Sequence, residues 1–452
     1  MGGVKMFWNI AQKEFLSNIL SLRFSVAFLL AFILMTLSAY VLTSDYEHQV
    51  EDYSARVMAK ENWFAQYAHS NRMAPILRQT PKPPTVLSAL FRGIPQDADV
   101  ESFYQSPMPA LFPLMDWLFI VGVVMSLLAL IFSYDAICGE REDGTLSLTM
   151  SYPVSRSVVL LSKWTGGFLS LLMPFVTAWF AGLHIVNINP NIHLSGRDFG
   201  VLGLVFLVSL LYIAAFFALG ILISTRTRSA VAAIMTSLFV WVIFALGIPN
   251  LSPYVAAQIY PTPSIAALEH KINAIYDEAD RVKSNAWREL RAKGLKGAEF
   301  EKAGLEVVNR VNREVNEKVE KLKGDFQRKA DRQTNIALYI SCLSPFPVFM
   351  YAGTDLAGAG RYSEAHFNKA VGRYISSFWD YFNAKWKKLK SENPWLAGED
   401  KLDLSDRPRF QYQEPSIRDR INATLLYIAL LFLFNIIFFW AGYISFLRYD
   451  VR

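Results

Sequence analysis

The chain has 452 residues, a formal net charge of +6, a hydrophobic share of 53% and a mean hydropathy of +0.23. A soluble chain of this length carries more charge and spreads its apolar residues over two or three domains. Here they are gathered into runs long enough to cross a bilayer, which excludes an ordinary soluble protein and makes the lipid bilayer the first partner.

The first 23 residues predict a helix lying in the cytoplasmic interface. Phe7, Ile10, Phe15, Ile19 and Leu22 fall near one face, with Lys5, Lys13 and Arg23 among them. The apolar run 24–43 that follows is too long for the core of a cleaved signal and predicts the first span. Residues 44–110 form an outer segment that opens polar and helical. Pro81, Pro83 and Pro84 then forbid helix. The second span is predicted at 111–133, and a polar loop occupies 134–164. Spans three, four and five follow at 165–186, 199–223 and 230–248, and the sixth at 423–447. Backbone amides in lipid need internal partners, so all six are helices. The expected fold is therefore an all-α polytopic membrane protein. Between helices five and six it carries a large, mainly helical extracytoplasmic insertion.

That insertion, 249–421, begins as a helical hairpin over about 264–334. Leu268, Ile272, Ile275, Ala279 and Val282 recur at spacings of three and four, as do Val308, Val311, Val315, Val319, Leu322 and Phe326. Gly294 and Gly297 mark the turn. A solvated coiled-coil stalk is one reading, and a stalk that binds an extracytoplasmic envelope protein is the other. Next, NIALYISCLSPFPVFMYAGTDLAGAG is too broken by Pro345, Pro347 and glycines to span, and predicts a pair of short helices dipping into the outer interface. The aromatic-rich HFNKAVGRYISSFWDYFNAKWKKLK either sits at headgroup level or packs against the hairpin.

Orientation follows from the short loops. Lys5, Lys13, Arg23, Arg141, Arg156, Lys163, Arg226, Arg228, Arg448 and Arg452 share one side, while NINPNIHLSGRD opposite has a single Arg. Both termini are therefore expected in the cytoplasm of a plasma membrane. The basic balance is accounted for in this way, and no nucleic-acid partner is expected.

The two cysteines, Cys138 and Cys342, fall on opposite sides of the membrane and are expected to be unpaired thiols. No GxxxxGK[ST], HExxH, GxSxG or CxxC occurs. The chain is expected to be no enzyme, to bind no metal and to hold no ATP itself. His184 is expected to be structural. Asp116, near the outer end of the second span, is a candidate for a pathway role.

The loop YDAICGEREDGTLSLTMSYPVSRSVVLLSKW carries the chemistry. The second helix continues to about Gly139. Glu140, Arg141, Glu142 and Asp143 put compact charge in water, Gly144 turns, and Thr145 can cap a short helix bearing Leu146, Leu148 and Met150. Pro153 ends that helix, and Ser155 or Ser157 can cap the next. A capped turn needs only two to six residues, so a loop this long and charged reads as a docking surface.

This loop resembles the first cytoplasmic loop of permease subunits of ABC-2-type ATP-binding cassette transporters. Glu140, Arg141, Glu142, Gly144, Thr145, Leu146, Pro153, Ser155, Arg156 and Lys163 match its acidic-basic cluster, Gly-Thr pair, proline and following basic residues. LSPFPVFMYAGTDL and, more loosely, QTPKPPTVLSALFRG are similar to outer segments of a branch that includes gliding-motility and copper-maturation permeases. The long hairpin is absent from compact members. The resemblance implies that Glu140, Arg141, Glu142, Gly144, Thr145, Leu146, Leu148, Pro153 and Arg156 couple the spans to a cytoplasmic P-loop ATPase subunit that binds ATP and Mg. It also implies a second permease copy or a homologous permease, a bacterial inner-membrane location, and export through a route lined by spans two and five. A different class of function is ATP-driven mechanical transmission to an envelope partner, with no substrate translocated. A membrane enzyme or an ion-coupled transporter lacks the intramembrane polar groups it needs.

Overall fold

The computed structural model describes residues 2–67, 77, 79–92, 115–152, 154–294, 296–392 and 402–448. Every regular element among them is helical, and six helices are long and apolar enough to cross a membrane. The chain divides into two compact units, Met1–Ala245 with Pro345–Arg452, and Leu246–Ser344.

In the first unit, α1 (Gly2–Ile19) ends at a turn and α2 (Leu22–Tyr67) begins at once. The first span and the polar helix after it are thus one unbroken helix of 46 residues, about 69 Å at 1.5 Å per residue. Among its described residues 79–92 the proline-rich stretch forms no α-helix, only a 3-10 turn at Val86–Ala89. Asp116, the candidate pathway residue, caps the second spanning helix, α3 (Trp117–Glu142): its carboxylate accepts the Phe119 N–H at 2.8 Å. Residues 111–114, where that span was expected to begin, lie outside the described residues. A short helix α4 (Thr145–Ser151) precedes α5 (Arg156–Ile188) and α6 (Gly196–Arg226).

Helix α6 is the hub, packed by α3, by α10 (Pro345–Ala357) and by α12 (Ile417–Leu447). Close approach is bought by missing side chains: a Cβ on Gly220 of α6 would lie 1.9 Å from the Ser133 Oγ of α3, and one on Gly353 of α10 would lie 2.4 Å from Leu118. A π-turn at Ile120–Met125 leaves the Gly122 carbonyl to accept from the buried Tyr212 hydroxyl at 2.6 Å, while Phe349 stacks on Tyr212 at 4.4 Å. Helix α5 packs along α2 and α1, with Trp179 against Trp117, whose indole N–H reaches the Met35 carbonyl at 3.1 Å.

Two outer expectations are resolved by packing. Helix α10 is single and is buried against α6 and α12. Pro345 and Pro347 start it rather than break it, because the first helical turn has no intrahelical N–H to lose. The aromatic stripe of α11 (Arg361–Glu392) buries Phe378 and Phe382 against Phe64 and Trp63 of α2, Leu77, and Leu402 and Leu404. It therefore closes a core with the extension of the first spanning helix, inside its own unit.

The chain passes to the second unit within α7 (Ala230–Ile259), the fifth span. There α8 (Ile265–Ala292) and α9 (Gly297–Ser341) form the expected hairpin, turning on Gly294 and Gly297 at φ 75° and 61°. Ala279, Val311, Val315 and Val319 are its buried seam. Gly304 leaves room for Trp287, whose ring would lie 1.9 Å from a Cβ there.

Candidate functional site

The loop between α3 and α5 is built by capping, hydrogen bonds and ion pairs that fasten it to five other helices. Helix α3 pauses over residues 134–137, and the Ser224 hydroxyl of α6 accepts the freed N–H groups of Ile137 and Cys138 at 3.0 and 3.1 Å. The helix resumes as Cys138–Glu142, and Gly144 turns the chain in the left-handed region at φ 71°, as glycine permits. Thr145 does not cap α4; its hydroxyl donates to the Glu140 carbonyl at 3.3 Å. Ser155 caps α5 through the Val158 N–H.

Most of the loop's charges turn toward the helices. Glu140 takes Lys163 of α5 at 3.0 Å and Lys13 of α1 at 3.4 Å. Lys163, 2% exposed, also holds Glu14 of α1 at 3.1 Å. One buried ammonium thus ties α1, the end of α3 and α5 together. A second tie joins Arg23 of α2 to Asp135 at 2.7 Å, with the guanidinium 5.2 Å over the Tyr134 ring. Glu142 accepts the Ala230 N–H at 2.9 Å, a carboxylate at the positive end of α7. Arg156 donates to the Phe446 and Leu447 carbonyls at 2.8 Å, a cation at the negative end of α12.

What remains outward is a different set. Leu146 is buried, whereas Leu148 is 64% and Tyr152 57% exposed, with Asp143, Gly144, Thr145, Ser147 and Ser151 around them. Arg141 is half-buried. Pro153 lies outside the described residues. Among the expected coupling residues, Glu140, Glu142, Leu146 and Arg156 therefore serve the loop's own attachment, and Gly144, Thr145 and Leu148 lie on its open face.

Sequence reasoning missed Glu14 and Ser224 as partners and Tyr152 as a surface residue. Lys163 carried a signal: it falls seven residues after Arg156, two turns along the same helix. Glu14 and Ser224 carried none, being 149 and 86 residues from the atoms they hold. Elsewhere, His184 is exposed, both cysteines are free, and no cluster of metal-ligating side chains occurs among the described residues.

The family model described as "ABC-2 family transporter protein" matches residues 8–451. Among curated proteins, the probable ABC transporter permease protein NosY of Pseudomonas aeruginosa is 35% identical over 124 residues, 27% of this chain and 45% of that protein. The protein of the same name from Stutzerimonas stutzeri is 34% identical over a stretch of the same length. The chain thus covers less than half the length of these curated relatives. With the family match running nearly end to end over six spanning helices, this chain belongs to the ABC-2 family of transporter permeases, multi-pass membrane subunits that act with a separate ATPase and carry no catalytic activity of their own.

Proposed function

We propose that the chain exports a substrate across a bacterial plasma membrane, driven by a cytoplasmic P-loop ATPase that seats on the open face of α4. Both termini lie in the cytoplasm in this reading, on the side of the basic loops. The observation that carries it is the division of labour in the loop. A short helix presents Leu148 and Tyr152 outward, while its roots are clamped through Glu140, Glu142 and Arg156 to α1, α5, α7 and α12. Force applied to the open face is delivered to several spans at once. ATP shifts the spans only if the ATPase binds one arrangement of this loop better than the other. Of the family's other coupling positions, Gly144 and Thr145 belong to the same surface. Asp116 enters through its cap on α3, at the outer end of a route lined by spans two and five. A second permease copy completes the route, and lipid or that copy covers the exposed apolar faces of α2 and α12.

The test is co-purification of the tagged full-length chain with its P-loop ATPase, identified by mass spectrometry. Leu148→Asp combined with Tyr152→Asp places two unpaired charges in the contact. It should lower recovered ATPase at least about tenfold with the permease still folded. Unchanged recovery refutes the seat. A second reading, mechanical transmission to an envelope protein, is favoured by the hairpin, which has its own buried seam. Deleting the hairpin should then abolish physiological output while leaving ATPase activity intact.

A further inference from the structure

At the opposite end of the bundle from the coupling loop, α6 and α12 begin side by side around a polar cavity of about 300 Å³. Its walls include His193, Arg197, Asp198, Glu414 and Arg420. Arg420 is 3% exposed. Its guanidinium bonds the Leu356 carbonyl at 3.2 Å and Glu414 at 2.7 Å, and its Nε has no partner. Gly358, at φ +84°, is what lets it in, since a Cβ there would lie 2.7 Å from the guanidinium. Arg197 hangs over the cavity, donating to the Pro415 carbonyl, with Glu414 3.9 Å away.

Arg420 keeps donors unmet here. Of the five N–H groups on Arg420, two have acceptors, and Glu414 is shared between both arginines. The carboxylate of Asp198 is engaged by the Ser195 N–H and hydroxyl. A guanidinium taken out of water with donors unmet is costly; Nε itself has no accessible surface, so an oxyanion in the adjoining cavity serves the remaining Nη–H groups of Arg420 together with Arg197. The position selects the oxyanion's source. Arg418, Asp419 and Arg420 fill the first turn of α12 before its apolar run, and Arg197 and Asp198 the first turn of α6. Those turns are where spans leave the hydrocarbon and meet lipid phosphates.

We propose that this cavity binds a phosphate oxyanion, delivered by a phospholipid headgroup of the leaflet facing away from the coupling loop. This goes beyond the export reading and stands apart from it, because neither the route nor the ATPase seat is involved. Arg197 and Arg420 hold the phosphate, His193 lies at the rim, and Glu414 fixes both arginines and faces a headgroup amine where the lipid carries one. The bound lipid fastens the outer ends of α6 and α12 together.

The experiment is native mass spectrometry of the delipidated full-length chain, titrated separately with phosphatidylethanolamine, phosphatidylglycerol and inorganic phosphate. One phospholipid should be retained per chain. Arg197→Gln should weaken retention at least about tenfold, the loss of a charge-assisted contact. Arg418→Gln, two residues before Arg420 and outside the cavity lining, should leave it unchanged. Arg420→Gln tests the floor if that variant folds; Arg197 and His193→Ala carry the test if it does not. Arg197-dependent binding of inorganic phosphate with no retained lipid would keep the oxyanion chemistry and move its source to solution. Equal retention by wild type, Arg197→Gln and Arg418→Gln would overturn the site.

Discussion

Replacing Lys163 by Met removes the ammonium that ties three helices and leaves its two carboxylates facing each other. Glu14 and Glu140 touch the same Nζ at 3.1 and 3.0 Å, so their bonded oxygens are within about 6 Å of each other. Two unit charges at that distance repel by about 3 kcal/mol at an effective dielectric constant near 20. The carboxylates are 18% and 17% exposed, too little for water to screen most of this. Loss of one partner from a buried ion pair costs a similar amount, about 3–5 kcal/mol. Lys163→Met should therefore destabilise the folded chain by about 3 kcal/mol, measured by equilibrium unfolding in mixed micelles. The triple variant Glu14→Gln, Lys163→Met, Glu140→Gln buries no charge and should recover most of that loss, yet the ATPase complex built on it should turn over without transport, since the clamp between α1 and the loop is gone. A loss below about 0.5 kcal/mol for Lys163→Met, or a triple variant no more stable than the single one, would refute the clamp.

Two further outcomes are expected. Phe378→Ala empties a fully buried ring site between α11 and the extension of α2, at a cost of about 3–5 kcal/mol, and limited proteolysis should then cut α11 or the 402–410 segment before the spans. Asp355, 6% exposed, has its pKa raised by burial, against a smaller lowering from the Tyr362 N–H. A folded-state pKa above the unfolded one makes the ionised form the penalised one. Stability should thus fall as pH rises from the ordinary carboxylate value through the raised one, and Asp355→Asn should flatten that window in unfolding curves taken across it.

Much of this molecule could be read along the chain, because the signals are local. Twenty apolar residues need no partner to declare a span, since lipid forces their amides to bond internally. The hairpin's seam repeats within each helix, and its turn needs glycines, at Gly294 and Gly297, that reach positive φ. The loop's charges, glycine and short helix were visible for the same reason, and so was its likeness to the coupling segment of a transporter family.

The tertiary structure decided which way those residues face. Glu140 and Glu142 read alike in sequence, two acids in one helical turn. In the fold one binds a buried lysine and the other caps a distant span, 88 residues on. Leu146 and Leu148 differ only in their helical phase against α4's neighbours, so one is buried and the other is open. The aromatic stripe of α11 could have met lipid or the hairpin by composition alone; it packs on Phe64, more than 300 residues earlier. Sequence carries what a segment needs from its solvent and from its nearest turns. Which of many chemically equal partners supplies a buried charge or covers a ring is settled only when distant segments compete for the same space.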